Sequence, residues 1–160
     1  MFDFEKSSVN NYVKLPGPTY NLTEISFCAW IQTNDHFNYG SLISYATEEI
    51  DNAFTFTDYN GFVLYINGEN VITDIKIIDN IWHFLCGNEN LCIIFKNYLK
   101  VCDFVLVSWT STEGRYEIYL DGNLNADGYN LSRSNPIKGN GIFIIGQEQD
   151  SFGGLHFSIK

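Results

Sequence analysis

Two short stretches carry the oxygen ligands that a hard cation would use. Asp51 and Asn52 are adjacent and lie just before a strand pattern, and Glu148, Gln149 and Asp150 follow another that ends at Gly146. Ca²⁺ gathers about six to eight oxygens at about 2.3–2.6 Å. Carboxylates alone repel one another when brought together, whereas amide and backbone oxygens add coordination without adding charge. Three acids with an Asn and a Gln therefore suit calcium better than zinc or copper. Taken alone, the five are more simply read as polar loop residues.

Other chemistry is poorly supported. His36, His83 and His156 have no adjacent nucleophile and no metal spacing, and read as isolated surface or loop residues. Ser108 sits beside Trp109 without the Gly-x-Ser-x-Gly elbow of a serine nucleophile. Gly153-Gly154 is not a phosphate loop. Glu48, Glu49 and Asp51 superficially suggest a glycosidase carboxylate pair, but the paired motif of such enzymes is missing. No catalytic residue is assigned, and the chain is expected not to be an enzyme. The four cysteines, Cys28, Cys86, Cys92 and Cys102, allow three full pairings. None forms CxxC or a zinc-spaced group. Asn21 and Asn130 begin glycosylation tripeptides, which are common by chance.

Those residues must be positioned by strands. The chain has 160 residues, enough for one domain with a real core. Apolar residues make up 45 % and aromatic residues 16 %, which argues against disorder and toward half-buried pleated surfaces. The net charge of −10 repels phosphate backbones, so nucleic acid is not an expected partner. No run approaches the roughly 18 apolar residues of a membrane helix. The opening Met1-Phe2-Asp3-Phe4-Glu5-Lys6 lacks a signal-peptide pattern, so either a leader is absent from this chain or the protein stays inside the cell.

Period-two alternation predicts a strand over Glu24–Thr33, with Ile25, Phe27, Ala29 and Ile31 on one face and Ser26, Cys28, Trp30 and Gln32 on the other. Further strands are expected at 41–46, 53–57, 62–66, 105–109, 115–120 and 142–145. Asn67-Gly68 and Asp121-Gly122 predict hairpin turns, because both residues of such a turn need positive φ. After the first of these turns the pattern resumes with Val71, Ile72, Ile75 and Ile77. Strands divided by turn signals, without a strong helix pattern, predict an all-β sandwich. The stretch 87–106 fits a strand or a short helix equally well.

Three stretches resemble the pentraxin family. They are Ser44-Tyr45-Ala46-Thr47 with Asp51-Asn52; Phe84-Leu85-Cys86 continued, after an interruption, by Val107-Ser108-Trp109-Thr110-Ser111; and Ile145-Gly146-Gln147-Glu148-Gln149-Asp150-Ser151-Phe152-Gly153-Gly154. The resemblance covers most of residues 1–86 and 107–154. It implies a two-sheet antiparallel jelly roll of the concanavalin/laminin-G-like kind. It also implies a Cys28–Cys86 disulfide, whose long loop would contribute about 4 kcal/mol. Trp30, Trp82 and Trp109 are then expected in the core or against that bridge. The family is secreted, forms cyclic pentamers, and binds phosphorylated head groups, sugars or other polyanions through calcium. Carried over by position, one calcium would be held by Asp51, Asn52, Glu148, Asp150 and the backbone carbonyl of Gln149. The function implied is an extracellular, lectin-like recognition module. The alternatives are a non-binding structural fragment or a carbohydrate-active enzyme on a related sandwich.

The chain departs from the family in three ways. Residues 87–106 interrupt a signature that is otherwise continuous, and read as a retained intron or an inserted loop within a single partial domain, 1–160. In that signature Phe84 stands where a His belongs, and His83 falls one place early. The family continues well beyond Gly154, so the sandwich is expected to be incomplete at its C-terminus. The second calcium of the family is expected to be absent or very weak, because Phe157 stands near where an acid belongs. The interruption also adds Cys92 and Cys102, which compete for the expected pairing. The positions nearest those that select phosphocholine are Thr57 and Asn70, and they do not support that ligand.

Overall fold

The computed structural model describes residues 11–27, 29–34, 40–85, 106–149 and 152. They form twelve strands: β1 (Val13–Pro16), β2 (Glu24–Phe27), β3 (Ala29–Ile31), β4 (Ser41–Ala46), β5 (Phe54–Thr57), β6 (Val63–Ile66), β7 (Glu69–Ile72), β8 (His83–Leu85), β9 (Leu106–Thr110), β10 (Arg115–Leu120), β11 (Asn123–Gly128) and β12 (Ile142–Ile145). Every pairing among them is antiparallel. No helix among the described residues is long and apolar enough to cross a membrane.

The chain divides into two compact units. The first holds a six-stranded sheet in the order β1-β12-β4-β5-β6-β7. Its hydrophobic rows follow from alternation. Tyr45 stands opposite Phe54, which stands opposite Ile66, and Ile43, Phe56 and Leu64 make the next row. Tyr45, Phe54, Phe56, Leu64 and Ile66 are fully buried. The Phe56 ring stacks on Phe62 with centroids 4.3 Å apart. The opposite face carries Ser44 and Thr55 as cross-strand partners, and these too are fully buried. The Asn67-Gly68 turn joins β6 to β7 with φ of 49° and 82°, as the dipeptide predicts.

The second unit holds a four-stranded sheet, β11-β10-β9-β2, and a two-stranded ribbon, β3-β8. Asp121-Gly122 closes the β10–β11 hairpin with φ of 50° and 82°. Val107, Trp109 and Ile118 form the core with Ile77, which is buried although it lies outside any strand. The Trp109 indole N–H donates to the Leu131 carbonyl at 2.8 Å and ties that loop to β9. Trp109→Phe keeps most of the ring and removes that donor, stranding a buried carbonyl. We expect a loss of about 1–2 kcal/mol in urea unfolding; an unchanged midpoint would mean that the bond contributes nothing.

Two expectations about this unit need correction. Trp30 and Trp82 are not core residues, being 57 % and 47 % exposed, and the alternative, packing against a Cys28–Cys86 bridge, lies outside the described residues. On the ribbon Ile31 pairs with His83 and Trp30 with Phe84, so the same alternation that buries Ile31 and His83 turns Trp30 outward. The predicted strand at Glu24–Thr33 is also split, β2 pairing with β9 and β3 with β8. Strands β1, β8 and β11 carry no clear sequence signal. β11 reads Asn-Leu-Asn-Ala-Asp-Gly and is a strand because β10 pairs with it around a bulge at Ile118/Tyr119.

Candidate functional site

The first expected ligand segment leaves the end of β4 through a tight turn. The Thr47 N–H donates to the Ile50 carbonyl at 2.8 Å, and the Ile50 N–H returns a bond to Thr47 Oγ1 at 3.2 Å. Asp51 follows, exposed, with its Oδ1 accepting the Asn52 N–H at 2.8 Å. Asn52 is half-buried and held from two sides. Its carbonyl accepts the Gly68 N–H at 3.0 Å, and its side-chain Oδ1 accepts the Thr55 hydroxyl at 3.0 Å.

The second segment doubles back over the same sheet. Gly146, at φ 88°, occupies the left-handed region that glycine adopts without strain, and its N–H donates to the Leu42 carbonyl at 3.0 Å. From there the Ser44 hydroxyl donates to the Gln147 carbonyl at 3.1 Å. Gln149 is fully buried, and its side-chain Nε2 faces the Ile142 carbonyl at 2.9 Å, Ser44 Oγ at 3.2 Å and the Ser44 carbonyl at 3.3 Å. Glu148, half-buried, lies between these two anchored neighbours. Ser44 and Ile142 belong to β4 and β12, and Ile142 pairs with Ala46, shortly before Asp51. The returning segment is thus secured to the strand from which the Asp51-Asn52 turn leaves.

These residues fit a calcium ion by the chemistry of their donors. Asp51 and Glu148 offer carboxylates, and Asn52 offers an amide oxygen that Thr55 occupies with one donor only, leaving a second lone pair. The Gln149 amide nitrogen, which would repel a cation, is turned into the sheet. Among the described residues no three His, Cys, Asp or Glu side chains form a group able to hold a metal. The third carboxylate expected here, Asp150, lies outside the described residues, as do all four cysteines and hence the expected Cys28–Cys86 pair.

The remaining candidates are placed as follows. Asn21 is exposed, and its Oδ1 accepts the Gly139 N–H at 3.2 Å. Asn130 is exposed, while Ser132 of the same tripeptide is buried. Glu49 pairs with Lys138 at the surface. The Thr57 hydroxyl donates to the Gly40 carbonyl at 3.3 Å, and Asn70 is exposed on β7.

His83 is the largest departure from the sequence reading. It is neither isolated nor at the surface: it is 8 % exposed, with Nδ1 2.7 Å from Asp121 Oδ2 and Nε2 3.0 Å from Asp79 Oδ1. Burial pulls its pKa down, but the hydrogen bonds to Asp121 and Asp79 outweigh that and raise it above the ordinary 6.5. The His83 hydrogen bond in turn lowers the Asp79 carboxyl below its usual range. The sequence reading missed this arrangement because Asp121 comes from a turn 38 residues away. It also missed Ser44, Thr55 and the Gln149 side chain as anchors. The available signal for the two hydroxyls was their place at strand positions flanked by large apolar residues, Ile43 and Tyr45 or Phe54 and Phe56.

Comparison with known proteins gives this arrangement a context. The sequence profile of the Pentaxin family matches residues 1–160. The mouse sushi, von Willebrand factor type A, EGF and pentraxin domain-containing protein 1 is 39 % identical over 153 residues, covering 94 % of this chain and 4 % of that protein. Human pentraxin-4 is 31 % identical over 159 residues, covering 94 % of this chain and 29 % of its own length. The chain thus spans less than a third of either relative. The crystal structure of a native heptameric SAP-like pentraxin from Limulus polyphemus superposes with a TM-score of 0.60 at 23 % identity, over 89 % of this chain and 63 % of that one. At that identity the likeness shows the fold, an all-β antiparallel jelly-roll sandwich. The profile match along the whole chain agrees with that fold and with the two motif-bearing segments converging on β4: the chain belongs to the Pentaxin family, the pentraxins.

Proposed function

We propose that this chain is a calcium-dependent recognition module of the extracellular space, not an enzyme. One calcium ion is held by Asp51, Asn52, Glu148, Asp150 and the backbone carbonyl of Gln149, and it presents a positive centre to a phosphorylated, sugar or polyanionic ligand. The observation that carries this reading is the fastening of both oxygen-bearing segments to neighbouring strands of one sheet, through Ser44 and Thr55. Calcium at such a place supplies charge that offsets the carboxylates and draws an anion. The net charge of −10 disfavours an anionic partner, and one Ca²⁺ on three carboxylates cuts the local repulsion.

The same reading includes a Cys28–Cys86 disulfide, glycans at Asn21 and Asn130, and assembly into a closed ring. The Limulus protein is described as heptameric, and ring size in this chain is a question for light scattering. Residues 87–106 are an insertion in a single domain; a spliced transcript lacking those codons would instead make the stretch a gene-model error.

Calorimetric titration of the 160-residue chain with calcium tests the reading. The expected result is binding near one ion per chain, abolished by Glu148→Ala with the far-ultraviolet circular dichroism unchanged. No heat from a folded sample would discard the calcium reading in favour of a structural, non-binding domain.

A further inference from the structure

We propose that the buried hydroxyls of Ser44 and Thr55 are positioning residues for the cation, each holding one half of its ligand set. The inference rests on the calcium reading above and goes beyond it, since neither residue is expected to touch the ion. The two stand directly opposite each other on β4 and β5, so their side chains leave the same face of the sheet. Both are fully buried.

Their hydrogen bonds diverge to the two ligand segments. Thr55 Oγ1 donates to Asn52 Oδ1 at 3.0 Å and so sets the amide oxygen of the first segment. Ser44 Oγ donates to the Gln147 carbonyl at 3.1 Å and accepts from Gln149 Nε2 at 3.2 Å. It therefore ties down the residues on both sides of Glu148. Without an ion, gathered carboxylates repel one another and their loops tend to open. Two hydroxyls anchored in the sheet hold the segments in place before calcium arrives. Less ordering is then left to oppose binding, which is how preorganisation raises affinity.

The test compares calcium dissociation constants of the wild-type chain, Ser44→Ala, Thr55→Val and Thr55→Ser by calorimetry, well below their melting temperatures in a chelator. Ser41→Ala serves as the structural control. Ser41 is another buried hydroxyl on β4, but among the described residues it bonds the Ile43 and Phe56 carbonyls and neither of the two segments. Ser44→Ala and Thr55→Val are expected to weaken calcium about tenfold each, the scale of one lost hydrogen bond. Thr55→Ser keeps the hydroxyl and should bind as the wild type does. Ser41→Ala should lower the melting temperature in chelator and leave the calcium constant alone.

Wild-type binding with Ser44→Ala and Thr55→Val within about twofold of it would overturn the positioning role while leaving the calcium reading intact. Equal weakening in Thr55→Ser and Thr55→Val would overturn it as well, because a variant that keeps the hydroxyl would then bind no better than one that lacks it. Absence of calcium binding by the wild type would remove both readings together. Should Ser44→Ala fail to fold, the Thr55→Val and Thr55→Ser comparison decides.

Discussion

Tyr45→Ala is expected to cost about 4 kcal/mol of unfolding free energy, the scale of a large buried ring lost from a core. Tyr45 is fully buried, and its ring lies with its centroid 4.4 Å from that of Phe143. The phenol is fastened as well. It donates to the Lys138 carbonyl at 2.9 Å and accepts the Gly141 N–H at 2.8 Å. Burial raises its pKa above the ordinary value of 10.0, against the lowering effect of the Gly141 N–H, so the group stays protonated across the physiological range. Tyr45→Phe separates the two contributions. It keeps the ring and leaves a buried N–H and a carbonyl unanswered, at about 2 kcal/mol.

The surrounding backbone is shaped to that ring. A Cβ at Gly141 would lie 2.3 Å from Tyr45 Cζ and 2.5 Å from the Ala46 carbonyl oxygen, and one at Gly17 would lie 2.5 Å from Tyr45 Cε2. Gly141→Ala should therefore destabilise too, since the Ala46 carbonyl belongs to the paired strand β4 and cannot swing aside. Urea unfolding monitored by fluorescence reads all three variants. A Tyr45→Phe midpoint equal to the wild type would show that the ring alone holds β4, β12 and the loop before it.

The second large effect concerns His83 and pH. Its folded-state pKa lies above 6.5, so the sign is that of a base gaining partners. The stabilisation is complete below about pH 6.5, where the imidazolium donates to both Asp121 and Asp79, and is lost as pH rises through the folded value. Above that value one ring nitrogen loses its proton and meets a carboxylate with a lone pair.

We expect His83→Gln to cost about 2 kcal/mol at about pH 5.5 and clearly less at about pH 9. The figure is reduced from that of a fully buried pair because the carboxylate partners are partly solvated. Side-chain exposures of 49 % for Asp79 and 33 % for Asp121 show this solvation. Urea midpoints of both proteins at the two pH values, with an NMR titration of the His83 ring, provide the check. A ring midpoint at or below 6.5, or a variant effect independent of pH, would refute the clamp.

Much of this was legible in the sequence because its cause is local. The alternation of Phe54 and Phe56 with Thr55 and Thr57 needs only the two-residue period of a strand. Asn67-Gly68 and Asp121-Gly122 dictate their own turns through positive φ. The order of the residues at 145–154 was legible as a family motif, and the family match over residues 1–160 agrees with it.

Tertiary structure decided what depends on distant partners. Strand β11 has weak intrinsic strand preference and exists through its pairing with β10. Trp30 turns outward because Ile31 and His83 claim the buried side of their ribbon. His83 gains its second carboxylate partner only when the β10–β11 turn brings Asp121 to it. Ser44 and Thr55 read in sequence as ordinary strand residues, yet antiparallel register sets them side by side, one bonded to Gln147 and Gln149 and the other to Asn52. Residue type and spacing determine which groups can bind an ion and where the chain must turn. Register and burial, set by pairings between segments far apart in the chain, determine which of those groups are held in place.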